Sequence, residues 1–237
     1  MRSINSGAKR PFIRYTDLDN EAERYLRELY PIALQMPIAV PVAQIAAEIG
    51  LTMIAHEYLT EDFSIYGQMC FSDGVTDIYR EETCEYVALE VKAGTMLIDP
   101  RTKWERNTGC FNNTVAHELF HWYRHRAYFQ SLRRNSGAAI VATRCTQEQI
   151  EGKIKANKKT DLDWIEWQAS SIAPRILMPK DQFELVIMKS MDANKGRYRS
   201  GEAYFHQVVT DLASEFHVSR TSAAIRLKEL GYLRRFK

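Results

Sequence analysis

The chain has 237 residues, of which 45% are hydrophobic and 26% are charged, and its formal net charge at pH 7 is +2. These values are typical of a globular protein with a substantial core, and they neither favour nor exclude binding to nucleic acid. The four cysteines form no C-x-x-C pair, which argues against a disulfide framework and against a cysteine zinc cluster. The longest apolar region, 31–55, is interrupted by prolines and polar residues and is therefore not a transmembrane helix. Since the first residues show no secretory signal, we expect a cytoplasmic protein.

The N-terminal part is predicted to be helical after a short arm. Residues 1–16 are polar and basic, and we expect them to form a flexible arm. Apolar residues at helical spacing then predict a helix over 17–30, which Pro31 ends. A shorter helix is predicted over 41–49, with Gly50 as its C-terminal cap.

The middle of the chain contains short stretches rich in β-branched and aromatic residues, separated by turn residues. These stretches lie at 51–55, 63–71, 75–79, 85–91 and 95–98. The pattern predicts a small, mostly antiparallel sheet.

Helices are predicted again in the rest of the chain. The segment 129–160 is basic and polar, with one helix starting after Thr146, where Thr146-Gln147-Glu148-Gln149 resembles a capping box. The other predicted helices lie at 108–128, 161–178, 202–216 and 219–230. Together with the sheet they predict an α+β fold.

The helix predicted over 108–128 carries the motif His117-Glu118-Leu119-Phe120-His121. Residues four apart lie on one face of an α-helix, so both imidazoles can reach one metal ion. This H-E-x-x-H pattern is typical of a zinc site in which the glutamate, here Glu118, acts as the general base. Chance supplies the bare pattern in roughly one chain of this composition per hundred, so the motif needs a third ligand as support.

A catalytic zinc normally has three protein ligands, and the third must come from outside the motif. The position used by metzincins is Ala127, which excludes that subclass. His125 would lie about 12 Å along the helix axis from His117. That is too far for one tetrahedral ion, so we expect His125 to face solvent or to support the ligands from beside them.

Glu166 is the strongest candidate for the third ligand. It is a charged residue among apolar and small ones, a placement that costs free energy unless the carboxylate is paired or bound to metal. Weaker candidates are Glu148, Glu151, Asp161 and Asp163.

Two motifs of the chain occur in the same order as in a known family. The first, at 114–122, reads Thr-Val-Ala-His-Glu-Leu-Phe-His-Trp, and the second, at 166–179, reads Glu-Trp-Gln-Ala-Ser-Ser-Ile-Ala-Pro-Arg-Ile-Leu-Met-Pro. They resemble the ImmA/IrrE family of metallopeptidases, which pairs an A-H-E-L-x-H helix with a later E-x-x-A-N-x-F-A-x-x-L-L-M-P helix. Weaker similarity extends this resemblance over most of residues 35–235.

The second motif departs from the family pattern at three positions. Ser170 stands for Asn, Ile172 for Phe, and Pro174 for a small residue. Because proline inside a helix removes a hydrogen bond, we expect a kink near Ser170. The long spacing between the two motifs implies an insertion around 129–160.

The resemblance implies a zincin-like metallopeptidase domain over 17–180, with one zinc ion held by His117, His121 and Glu166. It also implies hydrolysis of a peptide bond in a regulatory protein, with Glu118 as the base. The substrate would be a helix-turn-helix repressor that controls a mobile element or a stress regulon.

The C-terminal segment, 181–237, ends in a locally basic region whose two predicted helices resemble a helix-turn-helix. Ser219 would cap the second helix, and a small core would contain Ala213, Val218, Ile225 and Leu227. Candidate nucleic-acid contacts are Arg220, Thr221, Arg226 and Lys228. We favour the alternative that these helices pack on the peptidase or hold a partner protein. A DNA-binding regulator with a sensory or vestigial zincin-like domain is the second hypothesis for function.

Overall fold

The computed structural model describes residues 12–136, 142–150 and 160–236, and it has an α+β fold in which helices predominate. Most of the expected N-terminal arm lies outside these residues. The helices are α1 (Leu18–Leu29), α2 (Val42–Glu48), α3 (Thr108–Phe120), α4 (Arg126–Ser136), α5 (Gln147–Ile150), α6 (Asp161–Leu177), α7 (Lys180–Asn194), α8 (Gly201–Glu215) and α9 (Arg220–Glu229). One π-helical turn, Thr102–Arg106, precedes α3, and another, His121–His125, joins α3 to α4. In the described ranges, no helix has the length and apolar character needed to cross a bilayer.

The strands form a four-stranded sheet and a separate hairpin. The sheet contains β1 (Thr52–Ile54), β5 (Thr95–Ile98), β2 (Ile65–Cys70) and β6 (Ala142–Thr146) in that spatial order, and the hairpin contains β3 (Gly74–Arg80) and β4 (Glu85–Val91). β1 is parallel to β5, whereas β2 is antiparallel to both of its neighbours. The predicted small, mostly antiparallel sheet is confirmed, with β6 as an additional strand beside β2.

Helix α3 lies at the centre of the main core. Its apolar residues Val115, Leu119 and Phe120 are fully buried, and the helix packs against β2 on one side and α6 on another. The same hydrophobic core includes residues of α1, α7, α8 and α9. The H-E-x-x-H motif is therefore carried by a helix that packs against other elements on more than one side.

The C-terminal helices pack directly on the start of α3. Gly109 permits this approach, because a Cβ there would lie 2.1 Å from the Ser219 nitrogen and 2.3 Å from the Val218 carbonyl carbon. The Asn112 side chain donates a hydrogen bond of 3.0 Å to the His217 carbonyl. These contacts agree with the interpretation that the last two helices pack on the rest of the chain.

Most predicted helices are confirmed, and the differences lie around the two motifs. The single helix predicted over 108–128 instead changes to a π-helical turn at His121 and then continues as α4 to Ser136. The predicted elements do not include β6 or α7. Helix α6 runs through Pro174 without interruption, so the proline does not end the helix, and the kink expected near Ser170 stays a prediction.

Candidate metal centre

The side chains of the first motif converge with Glu166 between α3 and α6. His117 Nε2 lies 2.9 Å from His121 Nε2. Glu166 Oε2 lies 3.2 Å from His117 Nε2 and 3.4 Å from His121 Nε2. Helical spacing aligns the two histidines, while Glu166 reaches them because α6 packs along α3. Both histidines are fully buried, and the Glu166 side chain is 17% exposed.

The spacing of these three donor atoms fits a divalent metal ion. Ligands about 2.0–2.1 Å from a tetrahedral zinc lie roughly 3.3 Å from one another, close to the three distances found here. Without an ion, the two facing Nε2 atoms need a shared proton, and both also face the same carboxylate oxygen. A cation would satisfy all three lone pairs at once, and two imidazoles with one carboxylate form a donor set that suits zinc.

Glu118 lies beside the trio and is fully buried between β2 and β6. Its Oε2 accepts a hydrogen bond of 3.3 Å from the Thr143 hydroxyl, whereas its Oε1 has no hydrogen-bond partner among the described residues. Burial, and secondly the charge of Glu166, raise the pKa of Glu118 well above its ordinary value. A carboxylate with a raised pKa and an unused oxygen has the properties of a proton acceptor.

Gly67 in β2 provides the space that Glu118 occupies. A Cβ at this position would lie 2.8 Å from Thr114 Cγ2 and 3.0 Å from Glu118 Oε1. Any side chain at this position would therefore collide with α3 at or next to the H-E-x-x-H motif. An isolated glycine inside a strand often marks such a close approach, and this signal in the sequence could have indicated the contact.

His125 approaches the centre from behind His121. Its Nδ1 lies 3.0 Å from His121 Nδ1, and its Nε2 lies 3.2 Å from Gln168 Oε1. His125 and Gln168 are both fully buried, so the expectation of a solvent-facing His125 is wrong and the supporting position is correct. His121 and His125 are the first and last residues of the π-helical turn, and their four-residue spacing keeps both imidazole rings on one side of the helix. Burial and the charge of His121 lower the pKa of His125 well below its ordinary value.

The protonation states of the trio suit metal binding. Burial lowers the pKa of His117, although Glu166 opposes this effect. Burial would raise the pKa of Glu166, but the charge of His121 and hydrogen bonds from both histidines outweigh it and lower that pKa. Gln149 Nε2 donates a further hydrogen bond of 3.0 Å to Glu166 Oε2. A neutral His117 and an ionised Glu166 are the forms in which these two groups bind a metal.

Cys145 on β6 forms a second cluster with His117 and Glu118. One donor atom of each lies within 4.8 Å of the others, and all three residues are buried. Burial, and after it the charge of Glu118, raise the pKa of the Cys145 thiol well above its ordinary value. A protonated thiol is a weak metal ligand, so the trio with Glu166 is the stronger metal-binding group.

The weaker candidates for the third ligand belong to no metal-binding group of the described residues. Glu148, Asp161 and Asp163 are exposed, and Asp163 forms a capping box with Thr160 at the start of α6. Glu151 lies outside the described residues.

Two adjoining cavities lie close to residues that contact Glu166. Their volumes are about 240 and 320 Å³, and both are lined by Asn113, Ile150, Ser222 and Ile225. The smaller cavity also contacts Gln149 and Ser170, which hydrogen-bond to the Glu166 carboxylate and carbonyl. Asn113 lies one helical turn before His117, and its buried Oδ1 has no partner among the described residues. A groove between α3, α5, α6 and α9 therefore runs beside residues that hydrogen-bond to Glu166.

The residues predicted to contact nucleic acid do not share one environment. Arg220, Thr221 and Lys228 are exposed. Arg226, however, is 2% exposed, and its guanidinium forms an ion pair with Asp19 of α1. The prediction that Arg226 contacts DNA is therefore wrong, because an internal ion pair already engages this side chain.

The turn between α8 and α9 has the capping that the sequence predicts. Ser219 is the N-cap of α9, and its hydroxyl accepts a hydrogen bond of 3.0 Å from the Ser222 amide. Ala213, Val218 and Leu227 are buried as expected, whereas Ile225 is 43% exposed and lines the groove. That part of the prediction is wrong, because Ile225 lies on the face of α9 that borders the cavities.

Comparison of the chain with models of known protein families gave no match, and comparison with the sequences of curated proteins gave none either. The assignment of function therefore rests on the residues of the centre and on their geometry. Those residues provide three convergent donor atoms that could hold a metal and an adjacent buried carboxyl group.

Proposed function

We propose that the chain is a zinc-dependent endopeptidase with a zincin-like domain, in which His117, His121 and Glu166 hold one zinc ion. The observation that carries this proposal is the convergence of their three donor atoms at 2.9 to 3.4 Å from one another. Two N–H groups donating to Glu166 do not account for it, because the two Nε2 atoms also lie 2.9 Å from each other, where only one of them can carry the proton between them. The resemblance of the two motifs to the ImmA/IrrE family supports the same ligand set.

The bound zinc would supply a Lewis acid for the peptide carbonyl and would lower the pKa of the attacking water. Glu118 accepts the proton of that water on its unpaired Oε1, while the Thr143 hydroxyl holds the other oxygen in place. The same carboxyl group then delivers the proton to the nitrogen of the leaving amine. Its raised pKa suits both steps, since a carboxylate with an ordinary pKa is a weaker base at neutral pH.

We propose a polypeptide substrate that enters by the groove between α3, α5, α6 and α9. The groove has amide and hydroxyl groups for a peptide backbone, and Ile150, Trp167 and Ile225 for apolar side chains. The family resemblance favours a helix-turn-helix repressor as this substrate, and a regulatory role for the cleavage in the cytoplasm.

The test separates the ligands from the base. His121→Ala should lose stoichiometric zinc and with it all cleavage of a helix-turn-helix repressor encoded beside this chain. Glu118→Gln should retain one zinc per chain but cleave at least about 100-fold more slowly, since general base catalysis contributes about that much. Zinc is measured by atomic emission and cleavage by gel electrophoresis, with a chelator as a further control. Wild-type protein that binds no zinc, or a Glu118→Gln variant with full activity, would refute the proposal.

A second candidate function is DNA binding by the C-terminal helices. The observation that favours it is the exposure of Arg220 and Thr221 at the capped start of α9, where recognition helices contact DNA. The burial of Arg226 counts against it, so we rank it below peptide hydrolysis.

A further inference from the structure

We propose that His125 and Gln168 are positioning residues, which fix the proton of His121 on Nδ1 and thereby direct its Nε2 lone pair at the metal. This inference rests on the zinc centre of the proposed function. It concerns two residues outside the ligand set. His125 lies 3.0 Å from His121, and Gln168 lies 3.2 Å from the other ring nitrogen of His125.

The protons along this chain of contacts follow from Gln168. Its Oε1 can only accept a hydrogen bond, so the facing Nε2 of His125 must carry a proton. A neutral imidazole has one N–H, which leaves a lone pair on His125 Nδ1. The facing Nδ1 of His121 must then be the donor, and the lone pair of His121 lies on Nε2. The amide oxygen of Gln168 thus selects the tautomer of His121 through His125.

Burial makes this selection effective. His121, His125 and Gln168 are all fully buried, so water cannot replace either hydrogen bond. A buried polar atom left unpaired costs free energy, which disfavours the opposite tautomer of His121. Phe120 and Phe129 flank the two imidazoles with ring centroids at 5.3 and 6.4 Å, which limits ring rotation.

The other ligands differ in how they are held. Nδ1 of His117 has no partner among the described residues, whereas Glu166 receives a hydrogen bond from Gln149. His121 is therefore the histidine ligand whose orientation depends on a hydrogen-bonded chain. Such partners of metal ligands typically change metal affinity by 10- to 100-fold when they are removed.

Two substitutions at position 125 separate positioning from packing. His125→Phe keeps the ring and its volume but removes the acceptor for His121. His125→Asn loses the ring but places its Oδ1 where Nδ1 of the histidine lies, so it can accept the same hydrogen bond. A packing role predicts that Phe is tolerated and Asn is not, and a positioning role predicts the reverse.

The measured quantity is the zinc dissociation constant, obtained by competition with a chromogenic chelator. We expect His125→Phe to bind zinc 10- to 100-fold more weakly and His125→Asn to stay within a few-fold of the wild type. At the other end, Gln168→Leu should weaken binding while Gln168→Glu, which keeps an acceptor, should not. A His125→Phe variant that binds zinc as tightly as the wild type would overturn the inference, and so would a His125→Asn variant that binds zinc as weakly as His125→Phe.

A direct reading of the tautomer needs no substitution. In zinc-loaded wild-type protein labelled with ¹⁵N-histidine, we expect His121 to show a protonated Nδ1 with a slowly exchanging N–H, and Nε2 at the shift of a metal-bound nitrogen. A protonated Nε2 on His121 would refute the proposal even if the variants at 125 and 168 fail to fold. Wild-type protein without zinc would instead refute the proposed function, so the two failures are distinguishable.

Discussion

Two groups of buried or partly buried ionisable side chains lie in this protein, and their charges are balanced in different ways. One group, here called the arginine cluster, consists of Asp19, Arg175, Arg226 and Glu229. Its two cations pair with its two carboxylates across α1, α6 and α9. In the metal centre, Glu118 and Glu166 lie beside three histidines, and no ion pair between described residues joins either carboxylate to a lysine or an arginine.

The comparison distinguishes a structural buried charge from one that requires a ligand. A buried charge is costly unless an opposite charge or hydrogen bonds compensate it. The arginine cluster supplies its own compensation, so it needs nothing from outside. In the candidate metal centre, convergent lone pairs and two carboxyl groups have no lysine or arginine partner among the described residues, and a divalent cation would satisfy them. Changes in the arginine cluster should therefore alter stability regardless of metal, whereas changes in the centre should act on the ion or on catalysis.

A large effect on stability is expected from Asp19→Ala. This change leaves the buried Arg226 with Glu229, 3.6 Å away, as its remaining ion-pair partner among the described residues. We expect the free energy of unfolding to fall by about 2 kcal/mol, less than for a fully buried pair, because Arg226 is buried but the Asp19 side chain is 32% exposed. Urea unfolding of metal-free protein measures it, and zinc stoichiometry should not change. Asp17→Ala removes the exposed pair with Arg14 and should cost less than about 1 kcal/mol. Equal losses in the two variants would contradict the comparison.

Gly67→Ala should affect both stability and catalysis. The new methyl group would meet Thr114 Cγ2 and Glu118 Oε1 at 2.8 and 3.0 Å, so α3 or Glu118 must shift. We expect a loss of about 1–3 kcal/mol in stability and slower cleavage with zinc retained. Adding Thr114→Ser removes the closer contact and should restore part of the stability. A Gly67→Ala variant with wild-type stability and activity would show that β2 does not confine the base.

The local pattern of the sequence predicts those parts of the fold that depend on neighbours along the chain. Helical periodicity and caps place α1, α2 and α6, and the four-residue spacing aligns His117 with His121. Glu166 could be selected because a charge among apolar residues on a helix needs a partner. In each case the feature depends on residues a few positions apart in the sequence, or on a charge placed among the apolar residues of one helix.

The remaining features depend on contacts that the local pattern does not encode. Asp19 and Arg226 are 207 positions apart, so the helix-turn-helix pattern of α9 gives no sign that Arg226 is buried. The link between His125 and Gln168 requires α6 to pack along the π-helical turn. β6 is stabilised by pairing with β2, which gives a polar sequence a strand conformation.

A smaller effect is expected when Glu118→Gln is followed over pH in metal-free protein. The pKa of Glu118 in the folded state lies well above the ordinary value of 4.5, mainly because of burial. Between these two values the unfolded chain has released the proton while the folded chain retains it, so stability falls as pH rises through this window. The uncharged amide of the variant has no such proton to release. We expect the variant to melt at a higher temperature than the wild type at pH 8, with the difference vanishing near pH 4. A difference independent of pH would show that Glu118 is ionised alike in both states.

The smallest effect is expected for DNA binding. This prediction tests whether the arginine cluster has only a structural role. If α9 contacted phosphates through Arg220, Arg220→Ala would reduce the slope of log K against log salt by about 1. Because Arg226 is engaged with Asp19, we expect weak binding in gel shifts and no difference between Arg220→Ala and the control Lys195→Ala, an exposed lysine outside α8 and α9. A steep salt dependence that Arg220→Ala removes and Lys195→Ala retains would show that the C-terminal helices bind DNA. The arginine cluster, whose charges are balanced within the protein, would then stabilise helices that also bind DNA.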